Sequence, residues 1–127
     1  MKKEAQLIIT ETDFEKLTAL VNINRSETSE LLEVELSRAT VVADDKLPKD
    51  VVAMNSTVNY TDVETKKSSV LTLVYPHDAS IEEKKVSVLA PMGSALIGLK
   101  VGQTIQWPMP NGNTKKVKVT SVSHNND

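Results

Sequence analysis

The sequence predicts an α+β chain in which a short N-terminal antiparallel helical hairpin precedes an antiparallel β-sheet domain with one short helix. Three observations predict it. Apolar residues recur at helical spacing between Thr12 and Val41. A polar breaker, Ala43-Asp44-Asp45-Lys46-Leu47-Pro48-Lys49-Asp50, follows, and beyond it apolar and polar residues alternate with a period of two. The expected organisation is residues 1–45 as the hairpin and 46–127 as the sheet domain.

Thr12-Asp13-Phe14-Glu15 has capping-box spacing, which predicts a helix start in which the Thr hydroxyl accepts from the amide three residues on. Phe14, Leu17, Leu20 and Val21 then form one apolar stripe, which ends at Asn22-Ile23-Asn24-Arg25-Ser26. A second helix is expected from Glu27 to about Val41, with Leu32, Leu36 and Ala39 on its apolar side and Glu30, Glu33, Glu35 and Arg38 facing solvent. Two short helices with a short connection bury their stripes against each other, hence the hairpin.

After the breaker, about five strands are expected: around Val58 and Tyr60, Val70 to Tyr75, Val86 to Ala90, Ile105 to Met109, and Val117 to Val122. The last two are joined by a turn at Asn111-Gly112, and Val122 is out of step with Val117 and Val119. Pro91 to Ile97 has the character of a short helix ended by Gly98, with Ala95, Leu96 and Ile97 available to cover one face of the sheet. Whether Leu7 to Ile9 forms an additional strand is left open by the pattern.

The 127 residues carry a formal charge of −2, too small for a global field toward nucleic acid or an anionic membrane. The charge is uneven: residues 1–45 hold five Lys/Arg against ten Asp/Glu, and residues 46–127 hold ten against seven. No cysteine is present, which excludes disulfides, thiolate catalysis and Cys-bound metals. The three apolar residues Leu7 to Ile9 are far short of a signal-peptide core or membrane span, so a cytoplasmic monomer that does not read DNA or RNA sequence is the expectation. His77 and His124 have no second histidine or patterned acid cluster at ligand spacing, and no phosphate-cradling Gly-rich loop is present. No cofactor and no metal are expected.

Asn55 to Val58, Thr72 to Pro76, and the block Ser87-Val88-Leu89-Ala90-Pro91-Met92-Gly93-Ser94-Ala95-Leu96-Ile97-Gly98-Leu99-Lys100-Val101-Gly102 resemble the C-terminal domain shared by the Gre transcript-cleavage factors and the shorter Rnk-type regulators. The resemblance covers roughly residues 51 to 123. The junction Leu47 to Ser56 and the strand Leu73-Val74-Tyr75-Pro76 are similar to the Rnk form. It implies an FKBP-like fold and a regulator, not an enzyme, that docks on RNA polymerase near its secondary channel. The docking corner it implies is Leu89, Ala90, Pro91, Met92, Gly93 and Ser94, with Leu89 standing where cleavage factors have Asp or Asn. Cleavage factors carry acids at the tip of a long coiled coil. Here the tip is Asn24, Arg25, Ser26 and Glu27, and helices of about 10 to 15 residues span roughly 15 to 22 Å. The resemblance therefore implies competition with Gre factors without stimulation of cleavage. Two alternatives stand beside it: a prolyl isomerase of FKBP type, and an action on the level of nucleoside diphosphate kinase by another route.

Each candidate residue has a plainer reading. Leu96 and Ile97 fit the core, whereas Pro91, Met92 and Ser94 fit contact and packing about equally. Trp107 alternates with Ile105 and Met109 and belongs inside, although a large aromatic also suits an interface. Glu27, Glu30, Glu33 and Glu35 form a solvated helix face or steer the hairpin toward a basic channel. Lys115, Lys116 and Lys118 fit the guard of an edge strand better than a nucleic-acid patch.

Overall fold

The computed structural model describes residues 7–124. Strand β1 (Ile8–Thr10) leads directly into helix α1 (Glu11–Ile23), which is followed by helix α2 (Glu27–Ser37) and strand β2 (Thr40–Val42). At 1.5 Å per residue the 13 and 11 helical residues span roughly 20 and 16 Å. Leu7 to Ile9 finds its place here, because β1 and β2 pair in parallel, Ile8 opposite Thr40 and Thr10 opposite Val42. The expected extension of the second helix to Val41 does not occur. Thr40, Val41 and Val42 are β-branched, and the Thr40 amide donates to the Leu7 carbonyl at 2.8 Å, an alternative the helix cannot match.

The first helix is capped by Thr10, whose hydroxyl accepts from the Asp13 amide at 3.1 Å. The expected cap, Thr12, instead lies inside the first turn. Its amide donates to Asp44 Oδ1 at 3.1 Å and its hydroxyl to Asp44 Oδ2. Local spacing allows either cap; the pairing of β1 through Thr10 selects the earlier one. Helix α2 has a reciprocal cap, in which Ser26 Oγ accepts from the Ser29 amide at 3.1 Å and Ser29 Oγ accepts from the Ser26 amide at 2.8 Å.

The remaining strands, β3 (Ser56–Asp62), β4 (Ser68–Val74), β5 (Lys85–Ser87), β6 (Thr104–Pro108) and β7 (Thr114–His124), form one sheet in the order β5-β4-β3-β7-β6. It is mixed and not wholly antiparallel. The chain leaves β4 through a 3₁₀ turn at Pro76–Asp78 and returns alongside it in the same direction, so β5 is parallel to β4. Strand β5 is also shorter than expected, because Ser87 begins the turn into helix α3 (Pro91–Leu96). The displaced Val122 has a geometric cause: Tyr60 faces Val119 and Asn59 faces Ser121, which leaves Thr120 as the extra residue of a bulge. Val122 thereby returns to a position opposite Val58.

One hydrophobic core joins both parts of the chain. Leu17, Val21, Leu32 and Leu36 of the helices are buried together with Val58, Leu71 and Leu73 of the sheet, Leu96 and Ile97 from the α3 segment, and Trp107, which is 1% exposed. Each such aliphatic side chain contributes about 1.5–3 kcal/mol by leaving water. Glu35 departs from its expected solvent position and is 2% exposed. It shares with Leu32 and Leu36 the face of α2 that closes against the protein, and its Oε2 lies 3.6 Å from Arg38 Nη1.

Polar contacts fasten the same seam. Asp13 Oδ1 accepts from the Tyr75 hydroxyl at 3.1 Å, and Oδ2 accepts from the Met54 amide at 3.3 Å. Burial, and then the negative charge of Asp13, push the Tyr75 phenol to resist ionisation more than an ordinary tyrosine. At the other end of the seam the Ile8 amide donates to the Gly98 carbonyl at 3.2 Å. Gly98 has φ of +81°, and a Cβ there would stand 2.5 Å from Leu7 Cγ.

Replacing Gly98 by Ala combines left-handed strain with that clash and is expected to lower stability by roughly 1–3 kcal/mol in urea unfolding. Gly102→Ala, at φ +95° with nothing within 4 Å, carries strain alone and should cost less. Equal losses would refute the seating of Leu7 on Gly98. The Asp44 carboxyl is held below its ordinary value of 3.8, first by the Thr12 hydroxyl and then by the Thr12 amide. A depressed folded value stabilises the fold above that pH and is lost as pH falls through it. Acid unfolding of Asp44→Asn should accordingly be less steep below about pH 4 than that of the parent, and an unchanged profile would remove Asp44 from the account.

Candidate functional site

The corner between β5 and α3 is built by local hydrogen bonds. Ser87 Oγ accepts from the Leu89 amide and the Ser87 carbonyl from the Ala90 amide, both at 3.0 Å, which turns the chain sharply after the strand. Pro91 then opens α3 at a position where its missing N–H leaves no bond unmade. Ser94 Oγ donates to the Val88 carbonyl at 2.6 Å, and this bond is buried. At Gly93 any Cβ would meet the Ser87 carbonyl oxygen at 2.2 Å, so only glycine lets helix and strand approach this closely.

The six corner residues therefore divide in two. Leu89, Ala90, Pro91 and Met92 are half-buried and present a partly accessible edge, whereas Gly93 and Ser94 are buried and hold that edge in shape. Leu96 and Ile97 lie in the core, as their pattern implies. Helix α2 contacts α3, so the hairpin is tied to the corner through side-chain packing.

At the far end of the hairpin, Asn24, Arg25, Ser26 and Glu27 are exposed. Arg25 Nη1 lies 2.8 Å from Glu33 Oε1 and Nη2 lies 3.3 Å from Oε2, a two-point contact, while Nη2 also donates to Asn22 Oδ1 at 3.0 Å. The shared hydrogen bond raises the Arg25 value and lowers that of Glu33, so each keeps the other charged. The charge of Glu33 is thereby balanced by Arg25, and among the described residues Glu27 and Glu30 remain as the exposed carboxylates near the tip without such a partner. Among the described residues no group of three or more His, Asp or Glu is placed to hold a metal. Ile23, beside these charges, is 80% exposed. The Arg25–Glu33 contact joins the connecting turn to a residue of α2 eight positions on, which sequence spacing does not reveal.

A polar cleft of about 580 Å³ opens between hairpin and sheet, lined by Asp13, Lys16, Asp44, Lys49, Tyr75 and His124 among others. No sequence pattern marked it, since its walls come from distant segments. Lys16 Nζ stands 5.7 Å from the Tyr75 ring centre, and His124 Nε2 lies 2.6 Å from the Val51 carbonyl oxygen. His77 stacks on Tyr75 with ring centres 6.5 Å apart and is otherwise in solvent, next to Asp78 at 3.3 Å. No described helix is long and apolar enough to cross a membrane.

Comparison with known proteins accords with this geometry. Residues 47–124 match the family described as "Transcription elongation factor, GreA/GreB, C-term". The chain is 33% identical over 121 residues to the "Regulator of nucleoside diphosphate kinase" of Escherichia coli strain K12, covering 93% of this chain and 89% of that protein. It is 37% identical over 91 residues to "Transcription elongation factor GreA" of Rhodospirillum rubrum, covering 72% of this chain and 57% of the relative. Among solved structures, "Prokaryotic transcription elongation factor GreA/GreB from Nitrosomonas europaea" superposes with a TM-score of 0.78 at 39% identity, covering 94% and 99% of the two chains. Thermus aquaticus Gfh1, at 21% identity and a TM-score of 0.52, shares the fold. A corner closed by Gly93 and Ser94, a sheet matched from 47 to 124, and a hairpin carried along in a near full-length relative lead to one conclusion: this chain belongs to the GreA/GreB C-terminal family and has the short architecture of the regulators of nucleoside diphosphate kinase.

Proposed function

We propose that the chain is a transcription regulator that docks on RNA polymerase through the Leu89–Met92 edge and occupies the approach to the secondary channel without stimulating transcript cleavage. Membership in the Gre family supports the partner. The observation that carries the rest is the hairpin itself: roughly 20 Å of helix, much of its inner face buried, with the charge of Glu33 balanced by Arg25 at its end. Such an arm fills space near the entrance but brings no carboxylate cluster to bind a divalent cation. Leu89 in place of a polar side chain makes the docking edge more apolar, which favours burial over a directed hydrogen bond. The acidic helix faces, with Glu27 and Glu30 in front, raise the encounter rate with a basic channel at low salt. The protein acts as a monomer in the cytoplasm, with a hairpin unit (1–45) and a sheet unit (46–127) that share one core.

Purified chain should bind core polymerase at micromolar concentration and suppress cleavage stimulated by a Gre factor, while producing no cleavage alone. Met92→Glu should weaken the competition by roughly tenfold or more, since a charge is then forced into a desolvated edge. Failure to bind at micromolar concentration, or cleavage by the chain on its own, would reject the proposal. Ser94→Ala separates support from contact: it removes the bond to Val88 and should cost about 1 kcal/mol of stability, with weaker docking only as a consequence.

A further inference from the structure

Strand β5 covers only part of β4, from Thr72 to Val74. The Thr72 amide donates to the Lys84 carbonyl at 2.9 Å, so Thr72 directs its backbone groups away from β3. Alternate residues of a strand point the same way, and Ser68 and Val70 stand opposite Thr61 and Asn59 in an unbroken register. Their N–H and C=O groups therefore face outward as well. Among the described residues no strand lies there, because the chain before Lys85 turns off in a tight loop in which Ser80 and Lys85 exchange backbone bonds at 2.9 and 2.8 Å. The edge of β4 is open from Ser68 to Val70.

Beside this edge runs a groove of about 820 Å³ whose apolar lining includes Tyr60, Leu71, Val86 and Ala90. Ile81 stands at its rim 98% exposed, and Val70 is 36% exposed. An unpaired strand edge next to an apolar groove is the pairing that extended peptides use: backbone bonds supply affinity, and the groove takes alternate side chains. Charge selects the kind of peptide. The five strands of the sheet contain Lys85, Lys115, Lys116 and Lys118 against Asp62 alone. Lys66 and Lys67 precede the open edge and Lys84 closes its far end, and among the described residues none of the three is ion-paired. The nearby acids are Asp62, Glu64, Glu82 and Glu83, of which Asp62 lies 4.0 Å from Lys115 and Glu83 3.0 Å from Lys85. With those two acids paired, Lys66, Lys67 and Lys84 face Glu64 and Glu82, an excess of one positive charge at the edge.

We propose that the open β4 edge at Ser68–Val70 receives an extended segment of a partner protein as an added strand, with an apolar side chain in the Tyr60–Leu71–Val86 groove and acidic residues flanking it. This surface meets the docking corner only at Ala90 and does not depend on polymerase binding.

The test uses the full chain and a synthetic peptide of alternating Val and Thr with Glu at both ends. A Lys-ended peptide of the same core and an amphipathic helical peptide of the same charge serve as comparisons. Amide exchange and chemical shifts followed by NMR should show the Val70 amide protected roughly tenfold by the Glu-ended peptide, with shifts confined to β4 and the groove. Val70→Pro removes the outward donor at a site where an edge strand tolerates proline, and Ile81→Glu alters a side chain almost wholly in solvent. Each should weaken binding by about fivefold or more while circular dichroism stays unchanged. Equal binding of the Lys-ended or helical peptide would overturn the proposal, as would shifts elsewhere or no binding at millimolar peptide. Pairing of two copies through this edge in sedimentation, undisturbed by peptide, would also overturn it. Polymerase is absent from the assay, so its outcome is separate from that of the polymerase competition.

Discussion

The seating of the N-terminal strand on Gly98 is the constraint from which the arrangement of this protein follows. Leu7 lies where a side chain on Gly98 would have to stand, and Ile8 bonds to the same residue's carbonyl. That contact fixes β1; β1 fixes β2 by parallel pairing, and the two strands bracket the helical hairpin between them. Gly98 in turn is held by the sheet segment, since its amide donates to the Val52 carbonyl at 2.9 Å. The hairpin is thus joined to the sheet at its root by backbone bonds and along its length by shared core.

A joint of this kind explains why the polar cleft and the Asp13 contacts sit where they do. Two groups of apolar side chains close the interior, and the polar residues left at the border must find partners or water. Asp13 satisfies a phenol and an amide at once, while Asp44 satisfies the amide and hydroxyl of Thr12. Glu35 is the exception, a carboxylate nearly out of solvent with Arg38 close by. Burying a charge beside an opposite charge adds little net stability compared with an apolar pair, but loss of either partner is costly.

The same architecture separates support from contact at the corner. Gly93 and Ser94 are legible in the sequence as part of a diagnostic block, yet the structure assigns them to close packing and to a buried hydrogen bond, with Leu89 to Met92 carrying the accessible surface. At the hairpin end, the residues Asn24 to Glu27 were identifiable from the break between two helical patterns. Their electrostatic state was not, because Arg25 of the connecting turn meets Glu33 only once that turn is set against α2.

The sequence by itself determined the class of the fold, the presence of both helices and the five strands, the short α3, and the location of the last hairpin turn. Those features rest on periodicity and on Pro, Gly and capping residues, all of which act within a few neighbours. Tertiary structure alone decided which threonine caps α1, that Thr40 to Val42 leaves the helix for a strand, that β5 is parallel, and that Glu35 points inward. Each of those outcomes depends on a partner distant in sequence: Leu7 for Thr40, β4 for β5, and the closed inner face of α2 for Glu35. Local spacing permits more than one answer at such positions, and the contact that selects between them exists only once the chain has folded.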